Sequence, residues 1–128
     1  MVTFGTGIGT ALIYDGLLVP NSELGHIEVD GRDAAEMAAA SVKKREDLSW
    51  KDWAERASRY LQTLERLVWP ELFIFGGGIS KKPERWMHHI ECQTPAVVAT
   101  LFNNAGIAGA ALIAHESLTV GLPRQPNR

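Results

Sequence analysis

Cysteine is nearly missing: Cys92 stands alone among 128 residues, so the chain can form neither an internal disulfide nor a multi-thiolate zinc site. That scarcity predicts a reducing, cytoplasmic setting. Charge of one sign is missing as well. Thirteen Lys plus Arg stand against fifteen Asp plus Glu, a net charge of −2 with no basic block, which argues against nucleic acid or an anionic membrane as the main partner. No apolar run approaches the ~20 residues that span a bilayer. The opening MVTFGTGIGT lacks the basic and apolar regions of a secretory leader, so the expectation is a chain neither exported nor inserted. Internal repeats and low-complexity segments are also lacking. What is left is an ordinary globular composition, 45% apolar and 22% charged, long enough for one sizeable core. Small ligands or protein partners are the favoured classes.

Glycine is the informative excess. Eight of the twelve glycines fall within Gly5 to Gly9, Gly76 to Gly78 and Gly106 to Gly109, which marks places where backbone needs room. Around them the pattern predicts a mixed α/β layer architecture. Val2 to Phe4 and Thr10 to Tyr14 read as strands, Asp15-Gly16 as a type I′ hairpin turn into Leu17 to Val19, and so three antiparallel strands open the chain. Ala34 to Arg45 reads as a helix. Ser49, with Asp52 three residues on, caps a longer helix that carries Trp53, Ala57, Tyr60, Leu61, Leu64, Leu67 and Val68 on one face and ends at Pro70. Leu72 to Phe75 is a buried strand, Pro83 to about Ile90 a helix, Ala96 to Leu101 a strand, Asn104 to His115 a helix, and 119–128 a frayed tail.

Two of the glycine clusters suit an anion. Gly5-Thr6-Gly7-Ile8-Gly9-Thr10 exposes backbone amides and adds two hydroxyls, but no Gly-Lys-Ser/Thr follows. Read from Gly7, Leu12 stands where a dinucleotide fingerprint needs its third glycine. Taken alone, the segment fits a tight hairpin turn equally well. Gly76-Gly77-Gly78-Ile79-Ser80 lies at the carboxyl end of a buried strand, the place where open α/β sheets bind ligands. Lys81, Lys82 and Arg85 follow it as a neutralising group or as a solvated face. His88, His89 and His115 have no metal-ligand spacing. Trp50, Trp53, Trp69 and Trp86 read as core or interface, and Cys92 as a small buried or half-buried side chain.

In this order and spacing, Gly5 to Thr10, Glu23-Leu24-Gly25-His26 and Gly76 to Ser80 resemble the carboxyl-terminal lobe of a ROK-family sugar kinase. Val19 to Gly31 and Pro70-Glu71-Leu72-Phe73 are similar to the polyphosphate-dependent glucokinase branch of that family. The resemblance runs from about Val2 to about Ala114. It implies an actin-like ATPase (ribonuclease H-like) lobe over residues 1–118, with polyphosphate or ATP as phosphoryl donor along Gly5, Thr6, Gly7, Gly9, Thr10, Gly76, Gly77, Gly78 and Lys81. It also implies glucose or a related hexose read by Glu23, His26 and Glu36. Carboxylates and an imidazole suit that task, since they hold hydroxyl groups in fixed directions. Magnesium is implied by phosphoryl transfer, without a clear ligand in the sequence.

The chain departs from the family twice. Many members follow the Glu-x-Gly-His motif with a zinc-binding cysteine cluster, whereas Gly31 to Met37 holds no cysteine, so no zinc is expected. The family's catalytic aspartate and first phosphate loop precede the Gly-Thr-Gly-Ile-Gly segment, which here begins at Gly5. The expectation is a chain that binds sugar or phosphate weakly and turns over negligibly by itself. The competing readings are a non-catalytic remnant, a sugar-sensing module, or an oligomerising fragment that associates through the tryptophan-rich helix. Its partner would be a second copy or a separately supplied amino-terminal lobe.

Overall fold

The computed structural model describes residues 1–100. A four-stranded mixed sheet organises them. Its strands are β1 (Val2–Phe4), β2 (Ile8–Thr10), β7 (Phe73–Gly76) and β8 (Ala96–Val98), in the spatial order β2-β1-β7-β8. β1 pairs antiparallel with β2 and parallel with β7, and β7 pairs parallel with β8. An α/β class with a mixed sheet is thus as expected, and the predicted helix Asn104 to His115, the end of the last strand, the third glycine cluster and the 119–128 tail lie outside the described residues.

The core follows from the helix pattern. Ser49 Oγ accepts from the Asp52 amide at 3.0 Å and starts α3 (Trp50–Val68). Trp69 takes a left-handed φ of 43° just before Pro70, and the helix ends there. Trp53, Ala57, Tyr60, Leu61 and Leu64 are buried as the 3.6 period requires, but Leu67 is 59% exposed. The buried stripe meets the sheet through aromatic rings: Phe4 packs edge-on to Trp53 at 5.2 Å, Trp53 to Trp86 at 5.7 Å, and Trp86 to Phe75 at 5.5 Å. Buried indoles need partners for their N–H groups. Trp53 Nε1 donates to the Ala38 carbonyl at 2.9 Å and Trp86 Nε1 to the Ile79 carbonyl at 3.0 Å.

Three predicted elements differ in detail. The opening strands do not form a continuous three-stranded meander. The Ala11 amide still bonds the Met1 carbonyl, but the chain then leaves the sheet, and β3 (Ile13–Tyr14) and β4 (Leu17–Leu18) form a hairpin of their own. The Asp15-Gly16 turn has positive φ at both residues, 50° and 76°, as type I′ demands. The turn sets the pairing of Ile13 with Leu18 and Tyr14 with Leu17, but among the described residues nothing buries the hairpin's apolar side chains. A second small hairpin pairs β5 (Glu28–Val29) with β6 (Arg32–Asp33). The helix read at Ala34 to Arg45 is two helices, α1 (Ala34–Ala38) and α2 (Ala40–Arg45), separated by an extended Ala39 with ψ of 153°. The break lets Ser41 bond the first glycine loop. The helix expected from Pro83 is two 3₁₀ turns, Pro83–Arg85 and Met87–His89, interrupted at Trp86. Burying that indole outweighs local helix preference.

Trp53→Ala should lower the unfolding free energy by about 3–5 kcal/mol. Trp69→Ala, at a side chain 72% exposed, should move it by less than ~0.5 kcal/mol, both measured by urea titration. Gly25, buried in the short turn Leu24–His26, touches β2 so closely that a Cβ there would collide with the Ile8 carbonyl oxygen. Gly25→Ala should therefore cost about 1–3 kcal/mol and perturb the Ile8 and Gly9 amide resonances.

Candidate functional site

The two glycine loops meet because β1 and β7 run side by side and end together. Thr3 pairs with Gly76, so the loop after β1 and the loop after β7 leave the same edge of the sheet. Gly77 makes this fit possible: its φ is +82°, and a Cβ on it would lie 2.8 Å from the Phe4 carbonyl oxygen. Only glycine accepts both conditions. Beyond it, Ser80 is fully buried, and its Oγ donates to the Gly77 carbonyl at 2.7 Å, closing the turn Gly78–Lys81.

The first loop spans Gly5 to Gly7. Its shape is held from inside, by the Gly5 amide on the Gly7 carbonyl at 2.9 Å, and from outside by Ser41. Ser41 gives its amide to the Gly5 carbonyl at 3.0 Å and its hydroxyl to the Thr6 carbonyl at 2.7 Å. These bonds occupy carbonyls. Among the described residues the Thr6 and Gly7 amides donate to no backbone carbonyl, and nothing lies within 4 Å of the place where a Cβ would stand on Gly5, Gly7 or Gly78. Thr6, Gly7 and Gly78 are exposed, so these loops leave room beside backbone donors, as an anion cradle requires.

A cleft of about 350 Å³ lies between the loops, lined by Thr3, Gly5 to Gly9, His26, Gly77 and Gly78. It gathers seven of the candidate residues, namely Gly5, Thr6, Gly7, Gly9, Gly77, Gly78 and His26. Thr10 is half-buried and pairs with Val2, and Gly76 is buried in β7 opposite Thr3; neither lines the cleft. Lys81, Lys82 and Arg85 are exposed and stand outside its wall.

His26 ends the turn Leu24–His26 that Gly25 seats against β2, and the Tyr60 hydroxyl fixes that turn from below by donating to the Leu24 carbonyl at 3.2 Å. Its Nδ1 lies 2.9 Å from Asp33 Oδ2. The hydrogen bond and the charge of Asp33 raise the imidazole pKa above the ordinary value, and the more distant charges of Glu23 and Glu36 add to the rise. The same bond lowers the Asp33 carboxyl. Glu23 and Glu36 are both exposed, one just before the turn and the other in the first turn of α1. The two glutamates therefore share the electrostatic neighbourhood of His26 without lining the cleft. Asp33, the partner of His26, is not one of the sugar-reading residues that the sequence suggests. The available signal was its place directly before an alanine-rich helix, where a carboxylate caps backbone amides. Ser41 likewise gives no local sign of its part, because its partners Thr6 and Gly5 lie far off in the sequence. Among the described residues no group of three or more His, Cys, Asp and Glu side chains is arranged to hold a metal ion.

No protein-family model matches the chain. It is 51% identical over 112 residues to the polyphosphate glucokinase of Mycobacterium tuberculosis strain H37Rv, covering 88% of this chain and 42% of that protein. With the polyphosphate glucokinase of Mycobacterium leprae it shares 49% identity over 119 residues, 93% of this chain and 37% of the other. The chain thus spans about two-fifths of the length of these curated relatives. Among solved structures, the inorganic polyphosphate/ATP-glucomannokinase of Arthrobacter sp. strain KM superposes with a TM-score of 0.85 at 50% identity, over 90% of this chain and 46% of that one. A ROK-family glucokinase from Streptomyces griseus, solved with glucose and AMPPNP, superposes at 0.74 with 19% identity over 90% and 59%, a likeness of fold alone. By sequence and by fold the chain is similar to a segment of the polyphosphate glucokinases, and the resemblance to that branch carried by its motifs is borne out.

Proposed function

We propose that the chain is the lobe of a polyphosphate- or ATP-dependent glucokinase that cradles the phosphoryl donor and contacts the sugar. The observation that carries this reading is the shared cleft, in which two separate glycine loops and one imidazole face the same space. The Thr6 and Gly7 amides receive the donor's phosphate oxygens, with Gly77 and Gly78 as the opposite wall, and Lys81 adds long-range charge. Glu23, His26 and Glu36 read the hexose at the mouth of the cleft. The terminal phosphoryl group passes to a sugar hydroxyl, the bond to the donor's bridging oxygen breaks, and the hydroxyl proton goes to a base. None of the described carboxylates takes that part in this reading, and the chain by itself binds substrates and turns over negligibly. The described residues offer magnesium no ligand set, so no step is assigned to it here. The half-buried free thiol of Cys92 agrees with a cytoplasmic setting. Among the described residues no helix is long and apolar enough to cross a membrane.

Gly7→Val tests the cradle directly. A Cβ at this cleft-lining position meets no heavy atom within 4 Å, so the substitution adds bulk to the loop without an immediate clash. Tripolyphosphate affinity measured by calorimetry should fall at least tenfold with Tm unchanged, and an unchanged affinity contradicts the reading. Glu36→Gln should weaken glucose binding by about tenfold, the worth of one charge-assisted hydrogen bond. Robust glucose phosphorylation by the purified chain would contradict its assignment as a lobe without a base.

A second reading, self-association, is favoured by one feature. Ile13, Tyr14, Leu17 and Leu18 of the β3–β4 hairpin are 56%, 79%, 73% and 57% exposed, an apolar strip of the kind that marks an interface. The tryptophan-rich helix is the poorer candidate, because Trp53 is fully buried and Trp50 packs on it edge-on. Sedimentation equilibrium should show concentration-dependent dimers that Tyr14→Ser with Leu17→Ser abolishes. A monomer at all concentrations rejects this second reading.

A further inference from the structure

We infer that Asp33 is a positioning residue that fixes the ring of His26 and ties it to the helix bearing Glu36. The inference rests on the sugar-contact reading of those two residues and deepens it. One carboxylate is used twice. Its Oδ2 takes His26 Nδ1 at 2.9 Å, while its Oδ1 caps α1 by accepting from the Ala35 amide at 2.8 Å and the Glu36 amide at 3.4 Å. The backbone supports both bonds, because Asp33 closes the β5–β6 hairpin opposite Glu28 and the Ala34 amide bonds the Ile27 carbonyl, next to His26. A shift of the helix start therefore moves the imidazole, and the reverse.

The chemistry sets the tautomer. An ionised carboxylate only accepts, so Nδ1 carries the proton and Nε2 is the ring nitrogen left for a ligand. Above the His26 pKa that nitrogen accepts from a sugar hydroxyl; below it, Nε2–H donates. The titratable groups around the ring are Asp33 on β6, Glu23 before the turn and Glu36 on α1, all acidic, and each holds the imidazolium to higher pH. The signs give a window. The His26 contribution is full below the ordinary imidazole pKa and is lost as pH rises through the raised value. The Asp33 contribution is full above the ordinary carboxylate range and is lost as pH falls through the lowered value. The charged pair is complete between the two.

Asp33→Ser tests this, because serine is also a good helix cap but is too short to reach the imidazole. In ¹⁵N NMR spectra of the whole chain, the neutral His26 ring should be protonated at Nδ1 in the unsubstituted protein and should shift toward the Nε2–H form in Asp33→Ser. Its pKa should fall toward the ordinary value while Tm stays nearly constant. Glucose affinity, followed by amide shift perturbation, should weaken about tenfold in Asp33→Ser and at least as much in His26→Ala. A ring tautomer and pKa unmoved by Asp33→Ser would overturn the inference. Glucose binding weakened by His26→Ala but not by Asp33→Ser would overturn it while sparing the sugar reading, and glucose binding absent, or indifferent to both substitutions, would overturn the two together.

Discussion

The closeness of Gly77 to the Phe4 carbonyl is the constraint on which the rest of the site depends. Two strands far apart in sequence end side by side, and their following loops share a cleft only if the second can turn over the end of the first. A Cβ at Gly77 would stand 2.8 Å from that carbonyl, and the residue's positive φ excludes most side chains independently. The cost of such a glycine is conformational entropy in the unfolded chain. It is offset by the aromatic core immediately beneath, where Phe4, Phe75, Trp53 and Trp86 pack edge to face and hold both strands in register.

Rigid support and open surface are thus divided by depth. Below the cleft lie buried rings and paired indole N–H groups, and no buried side-chain nitrogen or oxygen among the described residues lacks a hydrogen-bond partner. At the cleft itself Ser41 bonds the Gly5 and Thr6 carbonyls, Ser80 the Gly77 carbonyl, and the Gly5 amide the Gly7 carbonyl. The exposed Thr6 and Gly7 donate no backbone hydrogen bond to another described residue. Such an arrangement favours an anionic ligand over a cationic one, because four loop carbonyls are already bonded while two loop amides are not engaged by backbone. The acidic neighbourhood of His26 sits to one side, where hydroxyl groups suit it better than phosphate.

Much of this was legible in the sequence, for reasons that differ by element. The α3 helix and its serine cap were readable because capping and the 3.6 period are local signals, as was the Asp15-Gly16 turn, whose residue types dictate positive φ. That both glycine loops serve one site was an implication of the family resemblance, and their shared edge comes from the parallel pairing of β1 with β7. What could not be read depends on distant partners. The break at Ala39 serves Ser41, whose acceptors lie on the loop after β1. The interruption at Trp86 serves a buried indole bonded to Ile79. Asp33 looks like a helix cap in sequence, and its second bond, to His26, exists only because a two-residue hairpin folds back. Thr10 offers a hydroxyl and Gly76 bare backbone, yet strand pairing, a long-range property, sets both in the ladder.

Chemical-shift mapping of the ¹⁵N-labelled chain with tripolyphosphate tests the central claim most directly. The account predicts that the amides of Thr6, Gly7, Gly77 and Gly78 move together along one saturating titration curve. Shifts confined to Lys81, Lys82 and Arg85, or to one glycine loop without the other, would contradict it.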